Sequence, residues 1–229
     1  MNASEIRAEA RQKLTGKWGK AAIITLVFSI ITFVISFVLQ LIPGIGAIID
    51  FVITVPLSFG LIITMFKLND DKEFTFLGFF NDGFSNFGKA WSVALWTFAK
   101  LIIPVILVVV TICILMYGTI TENSLLTALG FILYIVALIY AIIKQFSYAL
   151  ALLVLNDNPD MTGKEAVEKS AELMQGKVWS LFCLKFSFLG WAILSIFTLG
   201  IGVIWLAPYI QISEINFYRN LVENSTSAE

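Results

Sequence analysis

Long apolar runs, broken by short polar stretches, set the pattern of this chain. The runs fall at 18–42, 45–66, 91–117, 125–155, 178–199 and 201–217, the last being the shortest and least pure. A helix needs about 20 apolar residues to cross a hydrocarbon core roughly 30 Å thick, so each run is read as a membrane span. Between the first two, "PGIG" at 43–46 leaves room only for a tight turn, and "LGIG" at 199–202 does the same between the last two. The third and fourth are joined by "GTITENS" at 118–124, which carries no lysine or arginine. The pattern predicts an all-α, polytopic membrane helical bundle: six transmembrane helices arranged as three hairpins within a single integral membrane domain, 1–229.

The longer polar stretches predict amphipathic helices along the cytoplasmic surface. In the first, Ser4 is placed to cap and Glu5 to meet the helix dipole, while Ile6, Ala10 and Leu14 share one stripe. In the last, Thr162 and Glu165 match a capping box, and Val167, Ala171 and Met174 form the apolar face. The middle stretch is studded with Phe74, Phe76, Phe79, Phe80, Phe84 and Phe87 and reads as an interfacial or protein-packed segment. Each stretch ends on a Gly-Lys pair followed closely by tryptophan, giving the interfacial anchors Lys17 with Trp18, Lys89 with Trp91, and Lys177 with Trp179. Superposing Gly16-Lys17 on Gly176-Lys177 brings "PGIG" near "LGIG" and Pro56 near Pro208, an internal repeat of which the middle hairpin keeps only the entry motif.

Charge then orients the hairpins. Arg7, Arg11, Lys13, Lys17 and Lys20 precede the first run; Lys67, Lys72 and Lys89 flank the loop between the second and third; Lys164, Lys169 and Lys177 lie between the fourth and fifth; and Arg219 is in the tail. The turns on the other side have none, so both termini and the long loops are expected in the cytoplasm of a multi-pass plasma-membrane protein. Composition agrees: 59% of the 229 residues are apolar and 14% charged, with a mean hydropathy of +0.89, far from the roughly 25% charged residues of soluble domains. A net charge of −1 gives no support to nucleic-acid binding. Cys113 and Cys183 lie inside apolar runs and the chain has no histidine, so no disulfide framework, metal site or cofactor is expected.

A resemblance covers nearly the whole chain. "FSFLGWAILSIFTLGIGVIWLAPYIQISEINFYRNL" at 186–221, the upstream "SAELMQGK" and the N-terminal "IRAEARQKLTGKW" resemble the bacterial integral-membrane family known as domain of unknown function nine-seven-five. The resemblance implies a six-span plasma-membrane protein of Gram-positive type bacteria, and brings no activity, substrate or catalytic residue with it.

Ionisable groups inside apolar runs cost about 2.5–3.5 kcal/mol each at mid-bilayer and are the first functional candidates. Lys100, Lys144, Gln145, Lys185, Gln211 and Glu214 all fall in the inner half of the predicted bundle, where Lys185 and Glu214 can pair across adjacent antiparallel helices. Either they line a polar vestibule open to the cytoplasm, or the lysines snorkel to the inner interface and Glu214 pairs for structural reasons alone. "GFSNFGKA" at 83–90 fits part of a P-loop but has alanine where a hydroxyl would hold magnesium, and reads as a membrane-entry turn. Pro56, Pro104 and Pro208 read as helix kinks, and Asp50 lies one turn past the outer bend.

Without histidine or a nucleophile–base set, an enzyme is the least supported class. The expectation is a non-enzymatic accessory or scaffold protein that engages membrane lipids and a cytoplasmic or membrane protein partner. The alternative is a small-molecule or ion transporter that uses the inner polar cluster.

Overall fold

The computed structural model describes residues 2–226, and among them every regular element is helical. The order is α1 (Ala3–Leu14), α2 (Trp18–Gln40), α3 (Gly46–Asn69), α4 (Gly78–Ser85), α5 (Phe87–Ile120), α6 (Ser124–Ser147), α7 (Ala151–Asp157), α8 (Gly163–Leu173), α9 (Val178–Phe186), α10 (Leu189–Phe197) and α11 (Val203–Thr226). Among the described residues, five stretches are long and apolar enough to cross a membrane: Trp18–Gln40, Gly46–Asn69, Phe87–Ile120, Ser124–Asp157 and Val178–Phe197. The sixth expected run, 201–217, falls in α11 from Val203 onward, and α11 is not among them; Gln211, Glu214 and Asn216 lower its apolar character.

Two expected spans are interrupted. The fourth breaks between α6 and α7, where the Ser147 carbonyl accepts a hydrogen bond from the Ser170 hydroxyl of α8 at 2.9 Å and Ala151 N–H turns to Tyr148 instead. The fifth breaks at Ser187, whose hydroxyl donates to the Leu184 carbonyl at 2.6 Å and competes with the helix ladder. α1 is capped by Asn2, which accepts from Ser4 N–H, rather than by Ser4 itself. The capping box of Thr162 and Glu165 opens α8 as the sequence predicts.

Backbone geometry at the ends of the first and last hairpins is closely matched. Gly16 and Gly176 take φ of 76° and 67°, and Gly44 and Gly200 take 81° and 85°. These are left-handed conformations that glycine adopts without strain. Gly88, in the middle copy of the motif, sits instead inside α5.

The core gathers α1, the first turns of α2, the second half of α3, α7, α8 and most of α11, around Leu57, Met65, Leu150, Val167, Ile212 and Phe217. Beyond it, large apolar side chains stay bare, among them Phe33 at 70%, Leu125 at 82% and Phe197 at 81% exposure. Continuous apolar flanks of this kind are stable in hydrocarbon and not in water. α5 and α6 pack on each other through Gly118 against Thr127 and Gly130 against Leu115, where any side chain would strike the facing backbone. α4 docks on α3 in the same way, with Gly60 facing the Phe79 carbonyl and Gly83 the Pro56 carbonyl. This places α4 alongside the body of α3 rather than below its end.

Pro56 cannot donate to the Val52 carbonyl, the bond a helix would otherwise make. Trp91 supplies the missing donor: its indole N–H reaches Val52 O at 3.1 Å. Trp91→Phe should therefore lower stability by about 1–3 kcal/mol, the cost of a buried unsatisfied acceptor. Trp179→Phe, at a side chain 71% exposed, should stay within about 0.5 kcal/mol. In a Pro56→Ala background, where residue 56 regains its N–H, the Trp91→Phe penalty should shrink. Unfolding of the detergent-solubilised variants measures all three; an undiminished penalty would refute the carbonyl repair.

Candidate functional site

The predicted inner polar cluster assembles only in part. Lys185 and Glu214 form an ion pair at 2.9 Å between α9 and α11, and the Lys185 ammonium also sits 6.0 Å from the Phe146 ring of α6. Lys100 does not join them: it pairs with Glu168 of α8 at 3.4 Å, with both side chains largely exposed. Lys144 lies over the Tyr140 ring of its own helix, and Gln145 is exposed. Gln211 is half-buried, and its Oε1 has no hydrogen-bond partner among the described residues. Asp50 accepts from the Ser36 hydroxyl at 2.7 Å, which ties α3 to α2 near their turn.

The anchors differ among themselves. Lys17 sits at the head of α2 and donates to the Leu68 carbonyl of α3 at 3.1 Å while pairing with Asp71 at 2.5 Å. It thus satisfies one of the last carbonyls of α3 and meets the negative end of that helix. Trp18 packs edge-on against Tyr209. Lys177 takes the same place at the head of α9 as Lys17 does on α2, and Trp179 stacks on Phe182. Lys89 is exposed in the first turn of α5, and Trp91 is spent on Val52 as described.

A denser polar site lies where α3 ends beside α11. Arg219 grips Asp70 with both guanidinium nitrogens, at 2.6 and 2.7 Å, and Lys72 reaches the same carboxylate at 3.5 Å. Burial pushes the Asp70 carboxyl up, but the hydrogen bond and charge of Arg219 and the charge of Lys72 more than offset it, so its pKa lies below the ordinary carboxylate value. Next to it, Asn69 and Asn216 are each only 1% exposed, and their side-chain amides bring further polarity into the core. From the sequence this region reads as a loop and a single tail arginine. Residues 70 and 219 are far apart in the chain, and neither belongs to a short motif that would signal their pairing.

An apolar cavity of about 440 Å³ opens between α2, α10 and α11. Trp18, Trp191, Leu194, Trp205, Leu206 and Tyr209 form much of its wall, and Arg11 lies at its rim.

The family described as "Protein of unknown function (DUF975)" matches residues 1–225. The chain belongs to this family. No curated protein and no solved structure matches it.

Because the native Asp70 pKa is depressed, the stabilisation it provides is complete above the unfolded carboxylate value, about 3.9, and is lost as pH falls through the lower native value. Asp70→Asn should cost about 1.5–3 kcal/mol at neutral pH, the range for a hydrogen-bonded charged group. The gap in melting temperature between wild type and Asp70→Asn should hold down to about pH 5 and close at more acid pH. A gap that widens on acidification would reverse the assignment.

Proposed function

We propose that this chain is a non-enzymatic, six-span accessory or scaffold protein of the bacterial plasma membrane, with both termini and the long loops in the cytoplasm. α11 supplies the sixth span, and the matched glycine geometry at 16, 44, 176 and 200 supports a repeat between the first and last hairpins. The observation that carries the proposal is the disposal of charge. Lys17, Lys67, Lys185 and Arg219 are engaged with Asp71, Asp82, Glu214 and Asp70 on neighbouring elements of the chain itself. Aromatic side chains are what face outward: Phe79 is buried against Phe28 of α2, while Phe80, Phe84 and Phe87 are exposed in one run of ring contacts and Phe76 is exposed beside Phe74. Such a surface suits contact with lipid or with an apolar partner better than it suits chemistry.

A transporter is the second reading, favoured by the Lys185–Glu214 pair on the last hairpin. It requires that Lys185→Ala or Glu214→Ala abolish solute movement in cells that still accumulate the protein.

Orientation and role are tested together in a variant in which Cys113 and Cys183 are replaced by alanine. A cysteine at Glu122 should react with an impermeant maleimide on intact cells, and one at Lys72 only after permeabilisation. A photoreactive residue at Phe80 should yield a discrete protein adduct. External labelling at 72 refutes the orientation, and lipid adducts alone refute a protein partner at this surface.

A further inference from the structure

We propose that the cavity between α2, α10 and α11 is a binding site for one anionic phospholipid of the inner leaflet, with its phosphate on Arg11 and an acyl chain along the trench. The trench extends from Arg11, Trp18 and Tyr209 at one end to Thr198 and Gly202 at the other. The seven steps from Gly202, just before α11, to Tyr209 within it correspond to a rise of about 10 Å. In the orientation proposed above, on which this inference rests, the Arg11 end faces the cytoplasm and the Gly202 end the outer turn.

Three features fit that occupant. The wall is apolar and aromatic, and its hydroxyls are already spent: Ser195 donates to the Trp191 carbonyl at 2.9 Å, and Thr198 donates to the Ser195 carbonyl at 2.9 Å while accepting from Gly202 N–H at 3.0 Å. A hydrocarbon chain can lie there without desolvating an unpaired hydroxyl. The rim carries charge of one sign only, since no acidic side chain lines the cavity. The cations nearby are otherwise occupied: Arg7 donates to the Ser187 carbonyl at 3.3 Å and sits over the Phe188 ring, and Lys17 is held by Asp71. Arg11 makes no ion pair and its guanidinium no hydrogen bond among the described residues. A free guanidinium at the head of an apolar trench matches a phosphate bidentately.

An acyl chain gains little by exchanging bilayer for an apolar cleft, because both are hydrocarbon. Selectivity must therefore come from the headgroup, in line with basic pockets between membrane helices on the cytoplasmic side. The site should discriminate by charge and be nearly indifferent to chain length.

Native mass spectrometry of the full chain, purified and exposed to equal amounts of phosphatidylglycerol and phosphatidylcholine, tests the proposal. Wild type should retain one phosphatidylglycerol in preference to phosphatidylcholine by about tenfold, the order of a single charge-assisted contact. Arg11→Gln should abolish the preference, while Lys13→Gln, on the same helix but outside the trench, should keep it. Equal retention of the two lipids by wild type overturns the proposal without any variant. A preference that survives Arg11→Gln overturns the assignment to this trench. Both readings are independent of the maleimide result at Lys72, so failure of the lipid site and failure of the orientation are told apart.

Discussion

A chain that leaves Phe33, Leu125 and Phe197 bare cannot be held together mainly by the hydrophobic effect, because a surrounding of lipid tails is as apolar as its own side chains. What remains is close van der Waals contact and the satisfaction of every polar group that lipid will not solvate. The glycines act through the first. Gly118 and Gly130 bring α5 and α6 together, Gly60 and Gly83 seat α4 on α3, and Gly163 sets the start of α8 against Ser92 and Val93 of α5. At each position a side chain would push apart two backbones that nothing else would draw so near.

The second acts through carbonyls. Where a helix ladder is broken or ends, a side chain from another element fills the gap: Trp91 for Val52, Lys17 for Leu68, Ser170 for Ser147 and Arg7 for Ser187. Tyr209 adds a fifth link, donating to the Arg7 carbonyl at 3.1 Å. These bonds tie α5 to α3, α2 to α3, α8 to α6, and α1 to α9 and α11. Interruptions in the helices thus serve as the points where separate elements are joined, and a straight, unbroken set of helices would offer fewer of them.

Much of this was legible in the chain, and the limits follow from distance. Apolar run length gave the five long apolar stretches to within a few residues, though α11 runs well past the sixth, and Thr162 with Glu165 gave the start of α8, because both signals are local. The Lys185–Glu214 pair was accessible because a short turn fixes the register of the hairpin that carries both residues. Lys100 falls at a similar depth but does not meet that pair: depth along a helix says nothing about which side its residues face, and here the facing element is α8 with Glu168. Asp70 with Arg219 and Trp91 with Val52 lay beyond reach for the same reason. Each depends on which helices pack side by side, and no periodicity encodes that. Trp91 reads as an interfacial anchor from its place after Gly88-Lys89, yet the missing N–H of Pro56 claims its indole.

The last helix shows what hydropathy reports. α11 packs against α1, α2, α3, α8 and α10, and from Ile212 to Tyr218 its residues are buried, Glu214 alone excepted. A helix enclosed by protein meets little lipid, so Ser213, Asn216 and Gln211 need be tolerated only by their packed neighbours, and Ser213 is settled by donating to the Tyr209 carbonyl at 2.8 Å. α5 and α6, with one another as principal contact and lipid-facing flanks elsewhere, have no such freedom and stay almost wholly apolar. An apolarity threshold therefore ranks helices by exposure to hydrocarbon, and α11 falls below it. The same argument accounts for the polar residues of α11 without assigning them chemistry, since enclosure removes the penalty that would otherwise have excluded them.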